Sequence, residues 1–500
     1  MSAKKKFGTF AGVFTPSILT ILGVIMYMRL GWVVGNSGLF GTIAIIFIAH
    51  VIAVTTGLSV SSVATDKKIG AGGIYYVLSR SMGIPIGGSI GIAIFVGTAF
   101  SISLYLIGFS ESFNEYFDLG MTTNDFRITA SFALFSLTIL ALISTSIALK
   151  AQFFILAAIV ISILSIFFGS TEFAPETINL MPSENSVPLE MVFAVFFPAV
   201  TGFTAGIAMS GDLKDSKKSI PMGTLMAIGV GLVVYLSLAI FLAFAVDPEL
   251  LKTDYNILMK IALFAPAVVA GIWGATLSSA IGGILGGPRI LQAMSQDLVT
   301  PKIFGKGKGI NNEPVNALLL VFVIAEVGIL IGELDVIARL VSMFYLTAYG
   351  FINICYFLES WANPDFQPSF KIKRWIGLLG FLACFAVMFK LDTAAMLGSL
   401  AVIGALYFGL QLKEVKLQSN DVWRSVWENI DNKGLKKIDA KIDENLNWNP
   451  NIILFSGQSG HQRYLLELGK TVAGRTGMVT NFKLIVDKKD DKPLKRTEQV

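Results

Sequence analysis

Charge is scarce in this chain. Of its 500 residues only 15% are Asp, Glu, Lys or Arg, against about 25% in a soluble globular chain. Lipid tolerates few charges. The shortfall, with 54% hydrophobic residues and a mean hydropathy of +0.69, marks a polytopic membrane protein. Cysteine is nearly absent. Cys355 and Cys384 both lie in apolar runs and read as buried thiols rather than a disulfide. His50 and His461 are the only histidines, so no metal-ligand cluster is expected, and no cofactor. No nucleophile–base set or phosphate loop appears, and "GAGGIYY" has no strand–turn–helix context. An enzyme is therefore not expected, nor a nucleic-acid partner. There is no sign of a cleavable signal: Lys4, Lys5 and Lys6 lead into a span far longer than a signal h-region.

What is present is a series of long apolar runs. A span needs about 20 mainly apolar residues. Twelve are expected, at 11–35, 39–63, 86–111, 128–148, 151–170, 191–210, 222–246, 258–287, 314–332, 336–358, 374–390 and 392–412. Lys and Arg orient them. One set of loops holds Lys67, Lys68 and Arg80, then Lys214, Lys217 and Lys218, then Lys302, Lys306 and Lys308, then Lys371, Lys373 and Arg374. The alternate loops are acidic, with Glu115, Asp118 and Asp125, then Glu172, Glu176 and Glu184, then Asp247, Glu249 and Asp254. The basic loops belong in the cytoplasm of a cell-membrane protein, and both termini with them.

After Gln411 the composition turns charged. "DVWRSVWENI" and "GLKKIDAKID" read as two short amphipathic helices. Residues 451–457, 461–473 and 477–486 then read as one strand–helix–strand unit, part of a cytoplasmic α/β segment covering 413–500. Residues 1–10 form the cytoplasmic N-terminus.

Two spans carry helix-weakening residues in their middles. "SILTILGVIMYMRL" (17–30) contains Thr20 and Gly23 and follows Pro16. "FFPAVTGFTAG" (196–206) contains Pro198, Gly202 and Gly206. Proline removes a backbone donor and glycine lowers the cost of unwinding. Glycine and proline are also ordinary where membrane helices pack closely. Two interrupted spans five apart, however, suggest two five-span repeats over 11–170 and 191–358, the second inverted, with two extra helices at 374–412. Interrupted segments at matching positions point to a transporter site. Unwound carbonyls and hydroxyls suit Na⁺ or K⁺, and free N–H groups attract anions. Thr20 and Thr201 supply hydroxyls there with no Asp or Glu nearby. "GATLSSAIGGILGG" (274–287) adds the adjacent hydroxyls of Ser278 and Ser279 to a small-residue stripe.

"TILGVIMYMRLGWVVG" (20–35), "TTGLSVSSVAT" (55–65), "GAGGIYYVLSRSMG" (70–83), "GGSIG" (87–91), "FFPAVTGFTAG" and "SGDLKDSKKSIPMGTL" (210–225) resemble the cation-chloride cotransporters of the amino acid-polyamine-organocation superfamily. "NWNPNIILFSG" (447–457) resembles the start of that family's cytoplasmic domain. The resemblance implies a LeuT-type 5+5 inverted repeat. It implies a Na⁺ site at the carbonyls of Leu19, Leu22 and Ala275 and the hydroxyls of Ser278 and Ser279. It implies a K⁺ site at the carbonyls of Thr20, Ile21 and Pro198 and the hydroxyls of Thr201 and Tyr105. One chloride site would fall on backbone at Gly23, Val24 and Ile25. A second would fall on Gly202, Phe203 and Thr204 with the Tyr349 hydroxyl. The serine pair and Tyr105 place the chain nearest the sodium-potassium-chloride branch, in a prokaryotic-like form with short outer loops. Thr20 stands where the family usually has Asn, and Leu22 where sodium-coupled animal members have Trp.

By the same resemblance, Arg29 and Glu111 contribute to an extracellular gate, and the protein is a homodimer in the membrane whose small partners are inorganic ions. Glu326, within span 9, has no counterpart in the family pattern; His50 reads as a packing histidine. The expected function is electroneutral symport of Na⁺, K⁺ and Cl⁻ by alternating access. The alternatives are an amino-acid or amine transporter on the same fold, against which a single glycine in "TILGV" counts, and a transport-inactive regulatory membrane partner.

Overall fold

A computed structural model of the chain describes residues 7–66, 72–143, 145–170, 172–175, 178–182, 186–208, 213–308, 312–363, 365–412, 422–439, 451–456, 463–473 and 478–483. Lys4 to Lys6, Lys67, Lys68, Glu176, Glu184 and His461 lie outside them, as does the side chain of Trp423. Contacts divide the chain into two units, Met1–Glu428 and Asn429–Val500.

The first unit is helical. After a π-helical turn at Phe10–Phe14 come α1 (Thr15–Ile21), α2 (Val24–Met28) and α3 (Leu30–Asp66). The short α4 (Gly73–Met82) precedes α5 (Ile84–Phe117), α6 (Thr123–Ile143) and α7 (Thr145–Phe167). Next are α8 (Leu189–Phe196), a 3₁₀ segment (Phe197–Phe203) and α9 (Thr204–Ala208). The remainder are α10 (Ser216–Ala245), the short α11 (Pro248–Thr253) and α12 (Ile257–Ile261), then α13 (Ala265–Gln296), α14 (Val315–Ile331), α15 (Leu334–Ala362), α16 (Trp375–Leu391) and α17 (Thr393–Leu412). Among the described residues, nine helical stretches are long and apolar enough to cross a membrane. Shorter apolar helices lie at Ala151–Phe167, Val315–Ile331 and Trp375–Leu391. The chain is thus a multi-pass membrane protein.

These helices are apolar nearly all round, which buries them in protein or in lipid. Phe132 on α6 and Phe154 on α7 are 73% and 82% exposed, apolar faces suited to lipid. At the centre, α1 and α2 are buried except at Thr20, and Cys355 and Cys384 are buried too.

Some expected boundaries shift. Spans 1 and 2 divide within the expected gap at 36–38, at Gly38, whose φ of 63° only glycine adopts easily. The amides just beyond it, of Leu39 and Phe40, donate to the carbonyls of Asn179 and Leu180. Span 8 was expected from residue 258. Instead α13 starts at Ala265, because Pro266 fits the first helical turn and Phe264 is extended. The interruption in span 6 is a tightened 3₁₀ segment rather than an unwound one. Proline 198 lacks an N–H, and the segment recovers its hydrogen bonds at i→i+3 spacing.

The expected pair of amphipathic helices after the membrane part is a single helix, α18 (Val422–Asp439). Gly434 lies within it without breaking it. The division between the two units falls inside this helix. In the second unit β1 (Asn451–Ser456) and β2 (Met478–Lys483) pair in parallel, with Asn451 opposite Met478, and α19 (Arg463–Ala473) crosses between them. A parallel pair needs such a crossover.

Candidate functional site

The first break lies at Leu22 (φ −82°, ψ 45°) and Gly23 (φ −100°, ψ −148°), between α1 and α2. Neither residue is helical, so the chain presents carbonyls on one side of the break and amides on the other. From Gly12 to Leu39, Thr20 is the one residue that keeps exposed surface. Its hydroxyl donates to the Pro16 carbonyl at 3.0 Å.

The 3₁₀ segment passes against this break backbone to backbone. A Cβ on Gly202 would lie 2.7 Å from the Ile21 nitrogen and 2.8 Å from the Thr20 carbonyl carbon. A Cβ on Gly206 would lie 2.6 Å from Ser17 Oγ and 2.6 Å from the Val13 oxygen. Only glycine permits that approach. Ser17 donates across it to the Phe203 carbonyl at 3.1 Å. Helix α13 also packs on α1.

The predicted residues divide in a physically readable way. Leu19, Leu22, Gly23, Val24 and Ile25 come together at the break, and Pro198, Thr201, Gly202 and Phe203 lie opposite. The Thr201 hydroxyl donates to the Pro198 carbonyl at 2.8 Å, so two predicted ligands are bonded to each other. Thr204 donates to the Thr201 carbonyl at 3.1 Å, and Tyr349 donates to the same oxygen at 3.1 Å. The Tyr349 ring stands 5.3 Å from Phe203 and 5.6 Å from Tyr345. Tyr105 is 9% exposed on α5. On α13, Ser278 donates to the Ala275 carbonyl at 3.2 Å. The Ser279 hydroxyl is buried and has no hydrogen-bond partner among the described residues. An unsatisfied buried hydroxyl costs about 1–3 kcal/mol, a state that Ser279 shares with Thr15, Ser112 and Thr224.

Tyr235 was not foreseen. Its hydroxyl donates to the Ile21 carbonyl at 2.7 Å, on the α1 side of the break. Nor was Tyr27, whose hydroxyl lies 2.5 Å from Ser162 Oγ and ties α2 to α7. A tyrosine in the middle of an apolar run was the only signal for either.

Beyond α2 stands Arg29, 3% exposed. Its Nη1 donates to Glu111 Oε2 at 2.9 Å and its Nη2 to Glu111 Oε1 at 3.0 Å, a two-pronged pair. Its Nε donates to Asp335 Oδ1 at 2.5 Å. The Tyr255 ring lies 3.9 Å from the guanidinium carbon. Burial pushes the Tyr255 hydroxyl above its ordinary pKa and keeps it neutral. Asp335 and Tyr255 are additions to the expected pair. Asp335 opens α15 at the same end as Arg29, which was a legible signal; Tyr255 gave none.

The opposite end carries a second cluster. Arg80 Nη1 and Nη2 donate to Asp297 at 2.9 and 3.0 Å, and the Tyr75 hydroxyl donates to it at 2.7 Å. This binds α4 to the end of α13. Hydrogen bonding to Asp297 raises the Arg80 guanidinium further above its ordinary pKa.

Glu326 Oε1 accepts a hydrogen bond from Ser131 at 2.6 Å, joining α14 to α6 away from the break. His50 Nδ1 lies 2.8 Å from the Ile46 carbonyl, a local contact within α3.

The amino acid permease family model matches residues 12–423. Solute carrier family 12 member 2 of Danio rerio is 33% identical over 478 residues, covering 82% of this chain and 42% of that protein. Solute carrier family 12 member 9 of Xenopus laevis is 29% identical, covering 90% of this chain and 55% of that protein. A Manduca sexta protein described as a bumetanide-sensitive sodium-(potassium)-chloride cotransporter is 32% identical, with 80% and 44% covered. The chain thus spans about half the length, or less, of these curated relatives. With the match across its helical unit, it belongs to the amino acid permease family, on the cation-chloride cotransporter branch, and is a membrane transporter rather than an enzyme.

Proposed function

We propose that the chain carries Na⁺, K⁺ and Cl⁻ together, electroneutrally, by alternating access. The observation that carries this reading is the break at Leu22–Gly23, faced by the Gly202 segment, with α13 packed on α1. The carbonyls of Leu19, Leu22 and Ala275 with Ser278 and Ser279 hold Na⁺. The carbonyls of Thr20, Ile21 and Pro198 with Thr201 and Tyr105 hold K⁺. Amides at Gly23, Val24 and Ile25 take one chloride, and Gly202, Phe203 and Thr204 with Tyr349 take the other. No carboxylate lies among these residues, so co-bound anions offset the cation charge in low dielectric. The names of the relatives support the ion class.

The same reading includes twelve spans in a 5+5 inverted repeat, both termini in the cytoplasm of the cell membrane, and a homodimer. Arg29 with Glu111 closes the outer path. No cofactor is required, since the ions are cargo.

The test is uptake of radiolabelled rubidium and chloride into proteoliposomes, with each ion removed in turn. Rubidium uptake is expected to need both sodium and chloride. Ser278→Ala with Ser279→Ala is expected to abolish the sodium requirement. A double variant that still requires sodium unchanged would reject the assigned Na⁺ site. Uptake of an amino acid or amine in place of rubidium would reject the ion reading.

A further inference from the structure

The break between α1 and α2 removes donors from the end of α1. Leu22 and Gly23 lie outside the helix, so the Ile21 carbonyl does not receive the Ile25 amide that an unbroken helix would bring to it. Tyr235 of α10 takes the place of that amide, donating its hydroxyl to the Ile21 oxygen at 2.7 Å. Of the carbonyls from Leu19 to Leu22, only that of Ile21 receives a side-chain donor among the described residues.

Tyr235 is itself held in place. It is fully buried. The His50 ring of α3 meets it edge-on at 6.2 Å, and the ring of Phe196, the last residue of α8, does so at 5.3 Å. Phe196 leads directly into the 3₁₀ segment, so this one tyrosine touches both interrupted spans. The same face of α10 seats the Ile21 side chain. A Cβ on Gly231, one turn before Tyr235, would lie 2.6 Å from Ile21 Cγ2. Helix α10 therefore grips Ile21 at its carbonyl and at its side chain. A carbonyl oxygen has two lone pairs. The hydroxyl takes one, which fixes the peptide plane and leaves the other in a set direction.

We infer that Tyr235 is a positioning residue for the potassium site, holding the Ile21 carbonyl in the orientation that the cation meets. It touches no ion and acts through Ile21. A carbonyl already aimed needs no reorganisation when the ion arrives, so the hydroxyl lowers the cost of binding. The inference rests on the proposed potassium set, in which Ile21 serves K⁺ and neither Na⁺ nor Cl⁻. His50 then has a task beyond filling space: its ring edge keeps Tyr235 from turning away.

Tyr235→Phe removes the hydroxyl and keeps the ring. In proteoliposomes the rubidium concentration for half-maximal uptake is expected to rise about fivefold, the worth of one hydrogen bond. Those for sodium and chloride are expected to hold, as is the maximal rate. A merely loosened fold would instead lower the maximal rate and weaken all three ions together. That result would overturn the inference, and so would an unchanged rubidium value. Tyr27→Phe is the comparison, since it removes another buried hydroxyl beside the break, one bonded to Ser162 rather than to a carbonyl of α1. Its rubidium value is expected to hold; a rise equal to that of Tyr235→Phe would overturn the inference. Protection against heating in detergent reads binding without transport. There too Tyr235→Phe is expected to need more rubidium, and no more sodium, for half of the protection; equal demands would overturn the inference. A wild-type protein that neither takes up rubidium nor is protected by it would reject the symport reading, and this inference with it. A wild type that does both, matched by Tyr235→Phe in every value, would reject the inference alone.

Discussion

At the scale of single residues, the tightest constraint is Gly202. Its missing side chain lets the 3₁₀ segment lie on the broken helix, and nothing flexible borders it. Gly202→Ala is expected to cost about 1–3 kcal/mol, since backbone must give way. It would lower the thermal midpoint in detergent and depress uptake. Gly229→Ala is the control: its Cβ meets nothing within 4 Å, so its midpoint should hold or rise slightly. The sequence exposed Gly202 through its place beside Pro198 and Thr201. It did not expose Tyr235 or Tyr255, because a lone tyrosine in or beside an apolar run has no periodicity or spacing to mark its target. Hydrogen-bond satisfaction was equally hidden: only coordinates show Thr201 bonded to Pro198 while Ser279 is left unsatisfied.

At the scale of elements, α4 is the clearest dependent part. It is ten residues long, too short to be stable alone, and its grip on α13 is Asp297. Asp297→Asn removes the charge that receives both prongs of Arg80 and weakens the Tyr75 bond. Hydrogen exchange over residues 73–82 is expected to accelerate, with little change along α10. Equal protection in the variant would mean that apolar packing, not Asp297, holds the helix. Long elements were legible because their apolar runs exceed any soluble alternative. Their ends were less so: Pro266 and Phe264 decide the start of α13, and Gly434 fails to stop α18.

At the scale of the whole molecule, loop charge predicts that the N-terminus and the segment after α17 share a side with Arg80. A protease-cleavable tag before residue 7 and another after residue 412 should be equally protected in sealed cells, while a tag at Asp118 should be cut. Opposite protection of the two termini would require an odd number of crossings. The α/β unit was also legible, as a strand–helix–strand order with Val, Ile and Leu in its strands. The two strands among its described residues are too few for an independent core.

The charged cluster at the Arg29 end has an electrostatic remainder. Arg29 and Lys260 face four carboxylates there, Glu111, Glu115, Asp254 and Asp335. The mouth is therefore formally anionic. Such a mouth concentrates cations from bulk solution and thins out anions, within a range of about 8 Å at physiological ionic strength. Under the proposed symport, a cation is expected to reach the break first and, by cancelling the local field, to admit the chloride that follows. Raising the salt concentration shortens the range of that field and removes the order, leaving the two kinds of ion to enter at rates set by concentration alone.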